Sequence, residues 1–281
     1  MKKKMLMWPE NSLAGPIGLL AGKGDLPVLF AQAVSLLNRR LVVIGVEGLT
    51  DPRVEEFAEK AHYVRLGDIE SIAGILKKFN IKKVALAGGI PKKEIYNPGF
   101  KPDASARNFI DQNQNKGDDH LLRAFQVFLK IRCGVSILDS RSILKDLLAK
   151  KGTLSHRAPS EAEWKDLRFG FEIAKGIGKM DIGQTVVVKR GVVLAIEALE
   201  GTDAAIRRGG ELGRGQAVVV KVSKPNQDLR FDLPCIGPET LASLKAANSS
   251  VLGVEAGKTL LLSGERLIRE ADEAGISIVG L

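Results

Sequence analysis

The densest run of chemically capable side chains in this 281-residue sequence is Lys221-Val-Ser-Lys224-Pro-Asn-Gln227-Asp228-Leu-Arg230-Phe-Asp232-Leu-Pro234. Asp228, Arg230 and Asp232 alternate, so an extended backbone would set all three on one face. Acids alternating with a base suit a divalent cation beside a phosphate. Carboxylate oxygens hold a cation such as Mg²⁺, while Arg and Lys bind phosphate oxygens. The same pattern also serves a salt-bridge ladder at a domain edge. A second acidic cluster, Glu197, Glu200 and Asp203, surrounds the end of an apolar run. Glu197 and Glu200 differ by an odd number and cannot share one face of a strand. Glu200 and Asp203 flank a Gly-Thr turn and can converge.

The first half offers glycines rather than acids. Gly22/Gly24, Gly45/Gly48 and Gly88/Gly89 each follow a short apolar run. Glycine lets a backbone approach a ligand closely and leaves helix N-terminal N–H groups open to phosphate. The first cluster is not a full dinucleotide fingerprint, because Pro27 stands where the third glycine would be. A nucleotide-like pocket fits these loops; so do plain tight turns. Glu47, at the end of the second run, has the chemistry to accept from a ribose or simply to be solvated. Asp118-Asp119-His120 precedes an apolar helical face. Asp118 suits a helix cap, and the pair of acids also suits a metal or a ligand hydroxyl.

These residues need a scaffold, and the hydrophobic pattern supplies one. Strands are expected at Ile17–Ala21, Leu41–Val46, Tyr63–Leu66, Val84–Ala87 and Val135–Leu138. Helices are expected from Leu26 to Leu37, Pro52 to Lys60, Ile69 to Phe79 and Asp118 to Arg132. Alternation of this kind, with continuously apolar strands, predicts a Rossmann-like parallel sheet covered on both faces. Ligands of such sheets bind beyond the carboxyl ends of the strands, where the glycines lie.

The second half reads as a mixed-sheet α/β domain. Ser160 and Glu163 form a capping box for a helix running to about Gly176. Thr185–Val188 and Val192–Leu199 read as a hairpin around Lys189-Arg190-Gly191. A short helix follows Glu200–Asp203, then a strand at Ala217–Val222. Val251–Val254 and Thr259–Leu262 are joined by a Gly-containing turn, Ser263 is placed to cap a last helix, and Ile276–Val279 is a last strand. The expected domains are residues 1–148 and 149–281.

Composition excludes several classes. Hydrophobic residues at 44% and charged residues at 27% exclude a disordered chain, a collagen-like repeat and a disulfide-rich mini-protein. The net charge is +9, and its excess is uneven: residues 1–150 carry 24 Lys/Arg against 16 Asp/Glu, the remainder 18 against 17. Such a basic half favours anionic partners, whether nucleic acid, acidic lipid headgroups or a phosphorylated ligand. Cys133 and Cys235 are far apart and no zinc-like spacing occurs, so a reducing cytoplasm is expected. Pro9-Glu10-Asn11 interrupts the stretch after Met1-Lys2-Lys3-Lys4, against a signal peptide. No apolar run reaches the ~20 residues of a membrane helix, so any membrane contact is expected to be peripheral.

Taken together, these stretches resemble the LpxI-type UDP-2,3-diacylglucosamine pyrophosphatases of lipid A biosynthesis, from about Ile17 to Gly280. The matching segments are Leu20-Ala-Gly-Lys-Gly-Asp-Leu26-Pro27, Gly117-Asp-Asp-His-Leu-Leu-Arg123, Arg157-Ala-Pro-Ser-Glu161, Asp181-Ile-Gly-Gln184 and Glu200-Gly-Thr-Asp203. Further ones are Lys224-Pro-Asn-Gln-Asp228 with Arg230-Phe-Asp-Leu-Pro234, Ile236-Gly-Pro238 and Val254-Glu-Ala-Gly257. Where the family pattern has Met after Glu-Gly-Thr-Asp-Ala, this chain has Ala205, and its basic residues 1–12 are unmatched.

The resemblance implies hydrolysis of UDP-2,3-diacylglucosamine to 2,3-diacylglucosamine 1-phosphate and UMP. It implies Mg²⁺ or another divalent cation, a homodimer, and peripheral contact with the cytoplasmic face of the inner membrane, with no nucleic-acid partner. On this reading Asp228 and Asp232 are metal ligand and water-positioning group, faced by Glu200 and Asp203, with Asp203 a further metal ligand. Lys221, Lys224 and Arg230 take phosphate oxygens, helped by Thr202 and Gln227. Gly22, Gly24, Leu26, Pro27, Gly88, Gly89, Asp118 and Asp119 hold part of the substrate, and an interdomain cleft shelters the acyl chains. Two other readings stand beside it: a nucleotide-cofactor oxidoreductase, from the strand–glycine–helix start, and a basic nucleic-acid-binding protein, from the charge of the first half.

Overall fold

The computed structural model describes residues 15–91, 94, 97, 99–113 and 118–281, apart from the side chains of Asp118 and Asp119. The chain divides into two compact units. The described residues up to Asn113 and His120–Ile143 belong to the first, and Leu144–Leu281 to the second.

The first unit is a five-stranded parallel sheet in the order β3-β2-β1-β4-β5: β1 Ile17–Ala21, β2 Leu41–Val46, β3 Lys60–Val64, β4 Lys83–Ala87 and β5 Ser136–Ile137. The β1, β2 and β4 strands are almost wholly buried, because helices cover both faces. Helix α1 (Leu26–Leu36) buries Phe30, Ala31 and Val34. Helix α2 (Ile69–Lys78) contributes Leu76, and the helix Asp118–Cys133 contributes Leu129, to the core with Val42, Ile44 and Val84. Three expectations change in detail. The segment at Pro52–Phe57 is a tight 3-10 turn. The third strand begins at Lys60 and ends at Val64, before Arg65 and Leu66. A further helix, polar overall, spans Ala104–Gln112; Asp103 caps it through Ala106 N–H at 2.6 Å.

The order reverses between β1 and β4, which makes the loops after these strands the topological switch point. Those loops are laced to each other. Lys23 N–H donates to Gly89 O at 2.8 Å, Gly89 N–H returns to Lys23 O at 3.2 Å, and Gly22 N–H donates to Ala87 O at 2.8 Å. A Cβ on Gly88 would stand 2.7 Å from Lys23 O, and its φ is +82°. A Cβ on Gly22 would stand 2.7 Å from Gly89 O.

The second unit is built on a six-stranded mixed sheet, β6-β13-β11-β9-β7-β8. Its strands are β6 Gly152–Thr153, β7 Thr185–Lys189, β8 Val192–Ile196, β9 Val218–Lys221, β11 Val251–Val254 and β13 Ser277–Gly280. The central trio β9, β11 and β13 is parallel. A separate parallel pair joins β10 (Cys235–Ile236) to β12 (Leu260–Leu261). The strands joined by the Gly-containing turn, β11 and β12, thus lie in different sheets. The hairpin β7–β8 forms, with Arg190 and Gly191 both at positive φ, the geometry of a two-residue primed turn. The buried Asp166 accepts from both N–H groups of that turn at 2.7 Å.

One sheet face packs on the long helix Glu161–Lys179, which Ser160 and Glu163 start with the expected capping box. The other packs on the helices Thr202–Gly213, Pro238–Ala246 and Gly264–Glu273. The helix Pro238–Ala246 is additional to those expected from the sequence pattern. Ser263 precedes the last helix without a side-chain cap bond, its φ being +56°.

The lacing of the two glycine loops yields a prediction. Gly88→Ala places a Cβ against backbone in a left-handed conformation, which costs about 2 kcal/mol or more. Urea unfolding followed by circular dichroism should show the loss; an unchanged midpoint would contradict the close crossing.

Candidate functional site

In the second unit the carboxyl end of β9 brings Lys221 onto Thr202. Lys221, its last residue, is buried at 7% exposure. Its Nζ donates to Thr202 Oγ1 at 3.1 Å and to the Cys235 carbonyl at 2.9 Å. Among the described residues no carboxylate pairs with it directly. Thr202 opens a twelve-residue helix whose N-cap, Gly201, has φ +84° and makes no side-chain cap bond. The first-turn N–H groups carry the partial positive charge of a helix start. Asp203 lies in that turn, and its Oδ1 is buried with no hydrogen-bond partner among the described residues. Glu197, one residue past β8, is buried; its Oε1 accepts from the Thr202 hydroxyl at 2.9 Å.

The segment after β9 is not extended, so the alternation argument fails there. Phe231 and Asp232 N–H both donate to the Asp228 carbonyl, at 3.2 and 3.0 Å. This is a helical turn. It sets Asp228 and Asp232 four residues apart on one side and turns Arg230 back onto Asp228. Arg230 Nε donates to Asp228 Oδ1 at 2.8 Å, and its Nη2 to Oδ2. Buried Gln227 braces the turn from within: its Oε1 accepts from Lys224 N–H at 2.9 Å, and its Nε2 donates to Asp232 Oδ2 at 2.8 Å. Lys224 Nζ holds Asp181 Oδ1 at 2.6 Å. Asp232 and Lys221 both act on the Cys235 thiol. Burial pushes that thiol up to about 11, with Lys221 pulling it down and Asp232 up.

Glu200 goes elsewhere. It is exposed, its Oε1 accepts from Arg208 at 2.7 Å and its Oε2 from Ala198 N–H at 3.1 Å. The Arg208 bond holds its carboxyl below the ordinary value. Glu197, which the sequence reading set apart from Glu200 by strand parity, is the acid that reaches Lys221 through Thr202. Parity does not decide between the two acids, because β8 ends at Ile196 and both lie beyond it.

Two matched segments turn out to hold the frame. Glu255 is buried between two lysines: Lys175 Nζ at 2.6 Å on Oε2 and Lys258 Nζ at 2.7 Å on Oε1. Its Oε2 also accepts from the Ser223 N–H and hydroxyl at 2.9 and 2.7 Å. Burial alone would raise this carboxyl, but the bonds from Lys175, Lys258 and Ser223 outweigh it and bring it down to about 2. Arg157 ties the start of helix Glu161–Lys179 to the sheet, donating to both Glu163 oxygens at 3.0 and 3.1 Å and to the carbonyls of Ser250 and Gly275. Ala205, where the family pattern has Met, is fully buried, so that departure lies in the core.

Of the expected first-unit contacts, Gly22 and Gly88 use their missing side chains against the facing loop. Around Gly24 and Gly89 an added Cβ would meet nothing within 4 Å. Leu26 and Pro27 open α1, with Pro27 buried. Glu47 is exposed after β2. The side chains of Asp118 and Asp119 lie outside the described residues.

Metal binding can be tested against these donors. Among the described residues no group of three or more His, Cys, Asp or Glu is assembled as a cation cage. Asp228 is held by Arg230, while Asp203 keeps a buried oxygen without a partner. Mg²⁺ typically takes one or two carboxylates and completes its shell with water and substrate phosphate, a mode that needs no three-carboxylate cage.

Comparison with known proteins places both units. Residues 16–147 match the LpxI N-terminal domain and residues 150–279 the LpxI C-terminal domain. The chain is 32% identical over 279 residues to the UDP-2,3-diacylglucosamine pyrophosphatase LpxI of Caulobacter vibrioides, covering 94% of this chain and 97% of that one. Solved structures are far more distant. The biotin carboxylase domain of a thermophilic 2-oxoglutarate carboxylase is 16% identical at a TM-score of 0.23, covering 62% of this chain and 35% of that one. N5-carboxyaminoimidazole synthetase of Staphylococcus aureus is 14% identical at 0.27, covering 66% and 42%. The chain thus spans less than half of each of those structures, and such scores establish no shared fold. Among the described residues no helix is long and apolar enough to cross a membrane.

The low Glu255 carboxyl has a consequence for stability. A carboxyl at about 2 in the folded chain and 4.5 by default contributes stability that is complete above about pH 4.5 and is lost as pH falls toward 2, at about 1.4 kcal/mol per unit of difference. Glu163, also brought to about 2 against its burial by Arg157 and Ser160, acts in the same window. Glu255→Gln should cost about 3 kcal/mol near neutral pH, by leaving Lys175 without its carboxylate, and should flatten the acid decline. An acid decline as steep as that of the unaltered chain would refute the linkage.

Proposed function

The chain belongs to the LpxI family, and from that premise we propose the following chemistry for it. It hydrolyses the pyrophosphate of UDP-2,3-diacylglucosamine, giving 2,3-diacylglucosamine 1-phosphate and UMP in lipid A biosynthesis. Water adds its oxygen to one phosphorus while the bridging P–O bond breaks, and the departing phosphate keeps the bridging oxygen. The reaction concentrates negative charge on oxygens that already carry it, so it needs fixed positive charge more than it needs a nucleophilic side chain.

The observation that carries the site assignment is Lys221. It is a buried ammonium bonded to the first residue of the helix Thr202–Gly213, with no carboxylate directly on it among the described residues. Helix N–H groups and an ammonium together form an anion site. Lys224 and Arg230 flank it, each already sharing its charge with Asp181 or Asp228. Asp228, anchored by Arg230, orients the attacking water and accepts its proton. Asp203 and Asp232 would hold Mg²⁺, which would neutralise charge on the phosphates when bound. Glu200 is assigned to fastening the start of its helix through Arg208. Gly24 and Gly89, at the switch point of the first unit, have open space where an added Cβ would stand, a position suited to a ligand.

The oxidoreductase reading loses its motive, because Gly22 and Gly88 are spent on the crossing of two loops. The support for a homodimer and for peripheral contact with the cytoplasmic face of the inner membrane is the family premise, together with a substrate whose acyl chains belong in a bilayer.

The decisive assay is UMP release from UDP-2,3-diacylglucosamine by the purified chain. Release with Mg²⁺ and its abolition by EDTA are expected. Asp228→Ala and Asp232→Ala should each lower kcat at least about 100-fold with an unchanged circular dichroism spectrum, whereas Glu200→Gln should stay within about threefold. A folded protein that releases no UMP with any divalent cation supplied would defeat the proposal.

A further inference from the structure

We infer that Glu197 and Thr202 are positioning residues for Lys221, with Thr202 acting through the lysine and not on the substrate. The inference rests on the proposed role of Lys221 as a phosphate ligand. It follows from the direction of the hydrogen bonds. Thr202 Oγ1 lies 2.9 Å from Glu197 Oε1 and 3.1 Å from Lys221 Nζ. An ammonium only donates and a carboxylate only accepts. The one hydroxyl proton must therefore go to Glu197, and the hydroxyl oxygen must receive the lysine. Thr202 has no proton left for a phosphate oxygen.

The arrangement also sets what Lys221 can offer. Two of its three donors are fixed, on Thr202 and on the Cys235 carbonyl. A carboxylate placed directly on the ammonium would compete with phosphate for it. Placed one hydroxyl away, Glu197 compensates the buried charge and leaves a donor facing elsewhere. Glu197 is itself held by rigid backbone. Its N–H donates to Thr185 O at 2.8 Å, continuing the β7–β8 ladder. Gln184 N–H reaches its Oε2 at 3.4 Å. A Cβ on Gly183 would stand 2.1 Å from the Glu197 carbonyl oxygen, so the 183–184 backbone lies flat against it.

Steady-state kinetics with UDP-2,3-diacylglucosamine test this through coupling. Thr202→Val and Glu197→Gln should each lower kcat about 10–100-fold with KM moved less than about threefold, and Thr202→Ser, which keeps the hydroxyl, should stay within about threefold. In a Lys221→Met background, adding Thr202→Val or Glu197→Gln should cost less than about threefold further. Full-sized losses on top of Lys221→Met would overturn the inference and leave the proposed hydrolysis standing. A Lys221→Met chain as active as the unaltered one would overturn the assignment of Lys221 to phosphate, and this inference with it. Thermal melts identify any variant that does not fold; should Thr202→Val be one, the Glu197→Gln comparison decides alone.

Discussion

A charged ammonium buried at the end of a central strand must be given oxygens, and the second unit is arranged around that need. Lys221 ends β9, next to β7 and β11, where little of it reaches water. Leaving such a group unsatisfied costs several kcal/mol. The two oxygens supplied come from distant parts of the chain, Thr202 at the start of a helix and Cys235 at the start of β10. Satisfying one charge thus fixes where the helix begins and where the loop from Val222 to Pro234 must end. The same oxygens leave the lysine aimed and only partly spent, which is what an anion site requires.

Charge compensation recurs two residues along. Ser223 is fastened by Glu255, which also holds Lys175 and Lys258. The loop carrying Asp228, Arg230 and Asp232 therefore leaves the sheet from two pinned residues, Lys221 and Ser223. Gln227 then braces its interior. A segment dense in polar residues between two prolines gains one shape because each polar group that turns inward finds a partner. Pinned ends and a braced middle limit how far the carboxylates of Asp228 and Asp232 can wander, the condition for electrostatic preorganisation.

The first unit solves a different problem with glycine. At the reversal of strand order the loops after β1 and β4 cross at backbone contact distance, and Gly22 and Gly88 make that crossing sterically allowed. Open space remains beside Gly24 and Gly89. Glycines in one motif thus divide between folding and access, a division that a glycine count does not reveal.

The sequence by itself determined most of the elements and the two classes of unit, though not the helices Ala104–Gln112 and Pro238–Ala246. Continuous apolar runs can only be strands covered on both sides, the capping box starts its helix, and Arg190-Gly191 turns its hairpin. It also located the segments that matter, since polar residues packed between prolines stand out in one dimension. Tertiary structure alone decided roles within them. Asp228 and Asp232 share a side because a turn forms, not because a strand does. Glu255 and Arg157, in matched segments like the others, serve the frame. Glu197 and not Glu200 reaches the lysine, because sheet pairing carries one inward and a surface arginine draws the other out. Local pattern reports which backbone a residue prefers; which charge meets which is set by long-range packing, and that information lies in no single stretch of the chain.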